Sequence, residues 1–329
     1  MRCGVLVVMV CGTLSCQSVV IPSEDLRADF LTWRYGMFIH FGMATFTGGD
    51  WTNGYEDPRA FSPDRFDPGQ WADVAVAAGM KYGVLTTKHT GGWALWDSEH
   101  TDHDASAMLE FQQGSGDVVA EFVHAFRSRG LRVGLYYCMA GDYDGRFGNP
   151  VPPGPSLHGF PPEANGDYAG FARKQLTELL TRYGPIDLVW IDQARSPYMD
   201  QAAWHKLRRH IRKTSPSTLI LANEQRTSSE SDVHSYELPL YAATDPAAGL
   251  PSTGNTEPAE VSDTIGPSWF WNEGHTPWAL KSAEYIAEML TTANARSANY
   301  LLNVPPDTSG LLPAASIERL MRAREVAGR

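Results

Sequence analysis

The sequence predicts an α/β chain closed into a single, somewhat irregular (β/α)8 TIM-type barrel. Three observations predict it. Short apolar runs of strand length alternate about eight times with amphipathic stretches of helical period. No hairpin signal joins the main runs, so the strands are expected to lie parallel with crossover helices between them. Eight such repeats in 329 residues suit a closed barrel better than an open sheet, and no Gly-rich phosphate fingerprint follows any strand.

In order, Ser23–Tyr35 reads as a short helix, capped by Ser23 with Glu24 and Asp25 in its first turn. The first strand, Met37–Gly42, is apolar until His40. A polar loop at Thr45–Pro63 carries Asp50, Trp51 and Glu56. Trp71, Val74, Ala75 and Ala78 share one face of a helix over Pro68–Met80, with Gly79 as its stop. The second strand is Tyr82–His89, and a loop to Ser115 follows. Val118, Val119, Phe122, Val123 and Phe126 recur at helical spacing in Gly116–Gly130. Leu131–Cys138 is the third strand. The Gly/Pro-rich stretch Asp142–Pro162 is too long for a simple connector and reads as a loop lining a site.

A helix over Tyr168–Tyr183 leads, through Gly184-Pro185, to the apolar run of the fourth strand, which stops on Asp192. The basic helix Ala202–Lys213 is most simply a solvated face. The fifth strand, Ser217–Glu224, ends on Asn223 and Glu224. Gln225–Pro267 reads as loop with a short sixth strand near His234–Leu238, and Ser268–Asn272 as the seventh. Helix Pro277–Ser297, strand Tyr300–Val304 and helix Pro313–Val326 close the chain.

The formal charge of −11 argues against nucleic acid or an anionic membrane surface as partner. Ten Trp and 13 Tyr offer flat apolar faces suited to sugar rings, although packing is their ordinary use. Residues 1–16 read as a secretory leader: Arg2 is positive, Val5–Val10 is apolar, and small residues precede Cys16. The apolar run is too short to span a bilayer, and lipidation of Cys16 is an alternative to plain secretion. Three of the four cysteines lie in that leader and only Cys138 remains in the body, so neither an internal disulfide nor a cysteine metal site is expected.

The informative pattern is where polar residues fall. In a barrel of this kind, sites form at the C-terminal ends of the strands. Those ends carry His40, His89, Tyr137, Asp192, Asn223, Glu224 and Glu237. Three chemistries fit such a ring: metal-assisted hydrolysis with His40, His89 and Asp192 as ligands, glycoside hydrolysis by two carboxylates, and sugar binding without catalysis.

Five blocks then resemble the α-L-fucosidases of glycoside hydrolase family 29, in particular their short bacterial branch. They are YGMFIHFG at Tyr35–Gly42, TTKHTGGWALWDS at Thr86–Ser98, the third strand at Val133–Tyr137, YGPIDLVWID at Tyr183–Asp192 and NYLLNVPPDTSGLLP at Asn299–Pro313. The resemblance implies a retaining exo-glycosidase that releases α-L-fucose, or a related 6-deoxy sugar, from a fucosylated oligosaccharide or glycan. It implies Asp192 as nucleophile, with no cofactor. His40 and His89 would bind sugar hydroxyls, Asp50-Trp51 would stand where the family has Glu-Trp, and Tyr137 and Trp271 would line the pocket. The acid/base would be Glu237, 45 residues after Asp192, with Glu260 and then Glu224 as alternatives. Two departures stand out: Thr90-Gly91 replaces the family's second His and its following Asp, and Gln193-Ala194 replaces the Gly after the nucleophile. The barrel is expected to occupy residues 23–329, without the C-terminal β-sandwich of many relatives.

Overall fold

A computed structural model of the protein describes residues 23–139, 167–194, 199–223, 231–238 and 249–328. Eight strands close a barrel in chain order. They are β1 Tyr35–Ile39, β2 Tyr82–Lys88, β3 Arg132–Cys138, β4 Leu188–Asp192, β5 Leu219–Ala222, β6 Val233–Glu237, β7 Ala259–Thr264 and β8 Ala298–Asn303. Each pairs in parallel with the next, and β8 returns to β1. The helices are α1 Ser23–Phe30, α2 Met43–Thr47, α3 Pro68–Ala78, α4 Val118–Ser128, α5 Tyr168–Arg182, α6 Gln201–Thr214, α7 Ala283–Asn294 and α8 Ala314–Ala327. This is the expected (β/α)8 architecture.

Helix starts follow the side chains. Asp67, Asp117, Asp167, Asp200 and Ser282 cap α3 to α7, each accepting a backbone N–H of the first turn. Two apolar layers result from strand alternation. One lies between strands and helices and includes Met37, Leu85, Trp71, Phe122 and Trp204. The other fills the barrel with Phe38, Tyr82, Val84, Tyr136, Leu188, Trp190, Leu221 and Leu301. Phe30 and Trp33, at the end of α1 and just after it, pack on Tyr82 and plug the N-terminal mouth. At Gly83 a Cβ would come within 2.2 Å of the Phe126 ring, so the missing side chain lets α4 lie against β2.

Two expectations are corrected. The seventh strand is Ala259–Thr264; Ser268–Asn272 is a loop at the rim. The apolar run SWFWN attracted the strand assignment, whereas AEVSDT turns polar residues into the barrel and shows no such run. Second, α6 is not simply a solvated basic face. Arg209 and Lys213 are exposed, but Arg208 and Arg212 reach the buried carboxylate of Asp232 just before β6, at 2.9 and 2.5 Å. Asp232 also accepts the Ile220 backbone N–H at 2.8 Å, so the cluster ties α6 to β5 and β6.

Candidate active site

Alternation sets the rim. Phe38, Leu188, Trp190, Leu221 and Val233 point into the barrel. His40, Asp192 and Asn223 follow such inward residues by two positions and Glu237 follows by four, so all four turn inward at the C-terminal end. His89 needs an irregularity to join them. The β2–β3 register shifts between Thr86 and Lys88, which pairs Lys88 with Tyr137. The extra residue sends Lys88 outward, where its Nζ lies 2.9 Å from the Tyr168 hydroxyl and 4.3 Å from the Tyr137 ring centroid. His89 then faces the pocket, stacked on Tyr136 at 5.5 Å and edge-on to His40 at 5.6 Å.

Asp192 is held on both oxygens. Oδ2 accepts from the Tyr136 hydroxyl at 2.6 Å; Oδ1 accepts from the Gln193 backbone N–H at 2.8 Å and from Asn223 Nδ2 at 3.0 Å. Gln193 adopts φ +54°, the left-handed region, and this turn aims its N–H at the carboxylate. Asn223 Nδ2 also donates to Glu237 Oε2 at 2.8 Å. The Asp192 and Glu237 oxygens therefore lie at most 5.8 Å apart, the combined length of the two bonds. Two N–H groups of one planar amide diverge by about 120°, which sets the separation at about 5 Å. Retaining glycosidases place their carboxyl pair about 5–5.5 Å apart.

The histidines are neutral. Burial and the neighbouring His89 hold His40 well below the usual histidine range, and burial pulls His89 down to about 4 against the opposing pull of Asp192. Asn303 fixes the His40 tautomer. Its Nδ2 donates to the Trp269 carbonyl at 2.7 Å, so its Oδ1 accepts from His40 Nδ1–H at 2.8 Å. That leaves Nε2 as an acceptor suited to a hydroxyl. His40, His89 and Asp192 do not form a ligand set: among the described residues no three His, Cys, Asp or Glu are placed to hold a metal ion.

Two expected site residues, Tyr137 and Glu260, fall elsewhere. Tyr137 points into the helix layer, fully buried, and donates to Gln175 at 2.7 Å; Tyr136 takes the pocket position, because alternation allows only one of the two adjacent tyrosines inside. Glu260 is the second residue of β7, deep in the barrel, accepting from Tyr82 OH at 2.6 Å and Trp190 Nε1 at 2.7 Å. Burial pushes its carboxyl up to about 7, yet Trp190 and Tyr136 stack above it and separate it from the rim. At the rim loop, Trp269 and Phe270 contact the His40 ring at 4.9 and 5.2 Å, while Trp271 is only half-buried.

Asp50 holds that loop by accepting the Phe270 N–H at 2.9 Å, and Trp51 is 49% exposed beside it. The LWDS segment of the second block is structural: Trp96, Ser98 and the Glu99 backbone all donate to buried Glu178 of α5. Gly91 has φ +88°, and a Cβ there would lie 2.2 Å from Thr52 Oγ1, so this loop has no room for the family's Asp. Glu224, the Asp142–Pro162 loop and the leader with Cys16 lie outside the described residues. Sequence reading missed Tyr136, Asn223's bridging role, Asn303 and Trp269. Strand parity, applied strictly, favours Tyr136 over Tyr137; the others depend on rim contacts that no spacing announces.

A cavity of about 640 Å³ opens at the opposite end of the barrel, between Trp33, Leu290 and Ala323. The filled interior separates it from Asp192, so size alone does not locate the chemistry.

The family model described as alpha-L-fucosidase matches residues 52–324. Alpha-L-fucosidase 1 of Arabidopsis thaliana is 29% identical over 336 residues, covering 94% of this chain and 61% of its own length. The tissue alpha-L-fucosidase of Bos taurus is 27% identical over 92% of this chain and 67% of its own. Among solved structures, alpha-L-fucosidase isoenzyme 1 from Paenibacillus thiaminolyticus superposes with a TM-score of 0.71 at 28% identity, covering 92% of this chain and 76% of that one. The chain spans about three fifths of the length of the plant relatives it matches. With a family match across residues 52–324, a parallel (β/α)8 barrel and a carboxylate pair on its C-terminal rim, this chain belongs to the α-L-fucosidase family.

Proposed function

We propose that the protein is a retaining exo-glycosidase that releases α-L-fucose from fucosylated oligosaccharides or glycans. The observation that carries this reading is the carboxylate pair, bridged through Asn223 at a spacing suited to double displacement. Ionised Asp192 attacks the anomeric carbon while Glu237 gives its proton to the leaving oxygen. Glu237 then takes a proton from water, and that water releases fucose from the Asp192 ester. Tyr136 donates to the nucleophile throughout, since burial and the Asp192 charge keep its hydroxyl pKa well above the ordinary value. His40 Nε2 accepts a sugar hydroxyl, and Trp269 and Phe270 wall the ring. With Thr90 hydrogen-bonded to His89 at 3.1 Å and Gly91 beside it, the site makes one hydroxyl contact fewer than relatives with the second His.

The leader at residues 1–16 supports export, with secretion or a lipid anchor at Cys16 distinguished by the mass of the mature N-terminus. No described helix is long and apolar enough to cross a membrane. The activity test is release of 4-nitrophenol from a panel of aryl 6-deoxyglycosides, with product configuration followed by NMR. The reading predicts α-L-fucose as first product and loss of turnover in Asp192→Ala. Turnover that survives in Asp192→Ala, or β-L-fucose as first product, would overturn it.

A further inference from the structure

Asn223 sits one residue beyond β5, 5% exposed, with its backbone N–H donated to the Ile191 carbonyl of β4 at 2.8 Å. Its Oδ1 accepts from the buried Ser235 hydroxyl on β6 at 2.8 Å. The opposite amide orientation would aim a carbonyl oxygen at the acceptor oxygen of Asp192, so Nδ2 faces Asp192 and Glu237. Three neighbouring strands thus deliver nucleophile, amide and acid/base at one level.

We propose that Asn223 is a positioning residue whose single NH2 group serves both half-reactions, hydrogen-bonding whichever carboxylate carries the negative charge. This rests on the hydrolysis proposed above. In the first step an Asp192 oxygen bonds to the anomeric carbon as the anomeric C–O bond breaks, and the Glu237 proton goes to the leaving oxygen. The negative charge thereby passes from Asp192 to Glu237. In the second step water gives a proton to Glu237, its oxygen bonds to the anomeric carbon, and the ester bond returns its electron pair to Asp192. The site keeps one net negative charge throughout, and Nδ2 already donates to both places it occupies. A bond to an ionised acceptor is roughly twice as strong as a neutral one. The stabilisation therefore moves with the charge while the Asn223 side chain stays still. Because Nδ2 occupies Oε2, the Glu237 proton is carried on Oε1.

The test compares wild type, Asn223→Ala and Ser235→Ala. The other described titratable groups around the pair are His40, His89 and Tyr136, with Cys138 reaching Tyr136, and all remain in each variant. Carboxyl 13C NMR, assigned with Asp192→Asn and Glu237→Gln, follows both titrations without substrate. Removing an N–H donor from an ionised carboxylate raises its pKa, so in Asn223→Ala both titrations move to higher pH by about one unit. Both limbs of the kcat/KM profile follow, and kcat falls about 10- to 100-fold for aryl fucosides with good and poor leaving groups alike. Ser235→Ala shifts both titrations the same way by less, and it carries the test if Asn223→Ala does not fold. Unmoved titrations, or a shift confined to one carboxyl, would overturn the inference. A wild type inert to every aryl fucoside would instead overturn the proposed hydrolysis, and the titrations would still decide whether the amide couples the pair.

Discussion

Gln193 is the residue that most openly trades stability for geometry. A non-glycine side chain at φ +54° costs roughly 1 kcal/mol, and the turn it makes brings the backbone N–H onto Asp192. Gln193→Gly should therefore raise unfolding stability by about 0.5–1 kcal/mol, read from the denaturation midpoint. His40 offers a second test. Replacing it by Phe removes a preoriented acceptor while retaining a ring against Trp269, and kcat/KM should fall about 10- to 100-fold. At this scale the sequence was legible where a residue ended an apolar strand, as with His40 and Asp192. It was misleading at Tyr136-Tyr137, where two equal neighbours compete and only the parity set by Leu135 and Gly134 decides. Glu260 entered as an alternative acid/base through the family resemblance, but its place at the start of β7 puts it in the floor.

Among the elements, those with long apolar periods were read correctly to within a few residues, as α4 and α5 show. β7 escaped because its inward face carries Glu260, bonded to Tyr82 and Trp190, and Ser262, bonded to the Tyr236 carbonyl, so it shows no apolar run. β2 was recognised, but its bulge was not, and without that bulge Lys88 rather than His89 would face the pocket. α6 adds a charged anchor to the apolar one made by its buried Trp204, Leu207 and Ile211. Asp232→Ala would leave Arg208, Arg212 and the Ile220 N–H without their shared acceptor and should cost about 3 kcal/mol in a denaturant titration. Arg209→Ala, on the exposed face of the same helix, should change stability by no more than about 0.5 kcal/mol.

For the whole molecule, the carboxyl buried in the barrel ties stability to pH. Glu260 titrates near 4.5 in an unfolded chain and at about 7 in the folded one. Between those values the native state holds the extra proton, so stability falls as pH rises, by about 3 kcal/mol through this group. Glu260→Gln mimics the protonated acid, accepting from Trp190 and donating to Tyr82, and should flatten that decline between pH 4.5 and 7. The barrel itself was legible from eight repeats, because parallel strands with crossovers leave few alternatives. The pairing of Asp192 with Glu237 was harder to read, since it depends on an amide from the strand between them.

Azide rescue of Glu237→Ala decides whether Asp192 and Glu237 act as nucleophile and acid/base. With an activated aryl fucoside this variant still forms the Asp192 ester, and azide then takes the place of the base-assisted water. The expected product is α-L-fucosyl azide, with the substrate's configuration retained. β-L-fucosyl azide, or wild-type turnover of substrates with poor leaving groups, would contradict it.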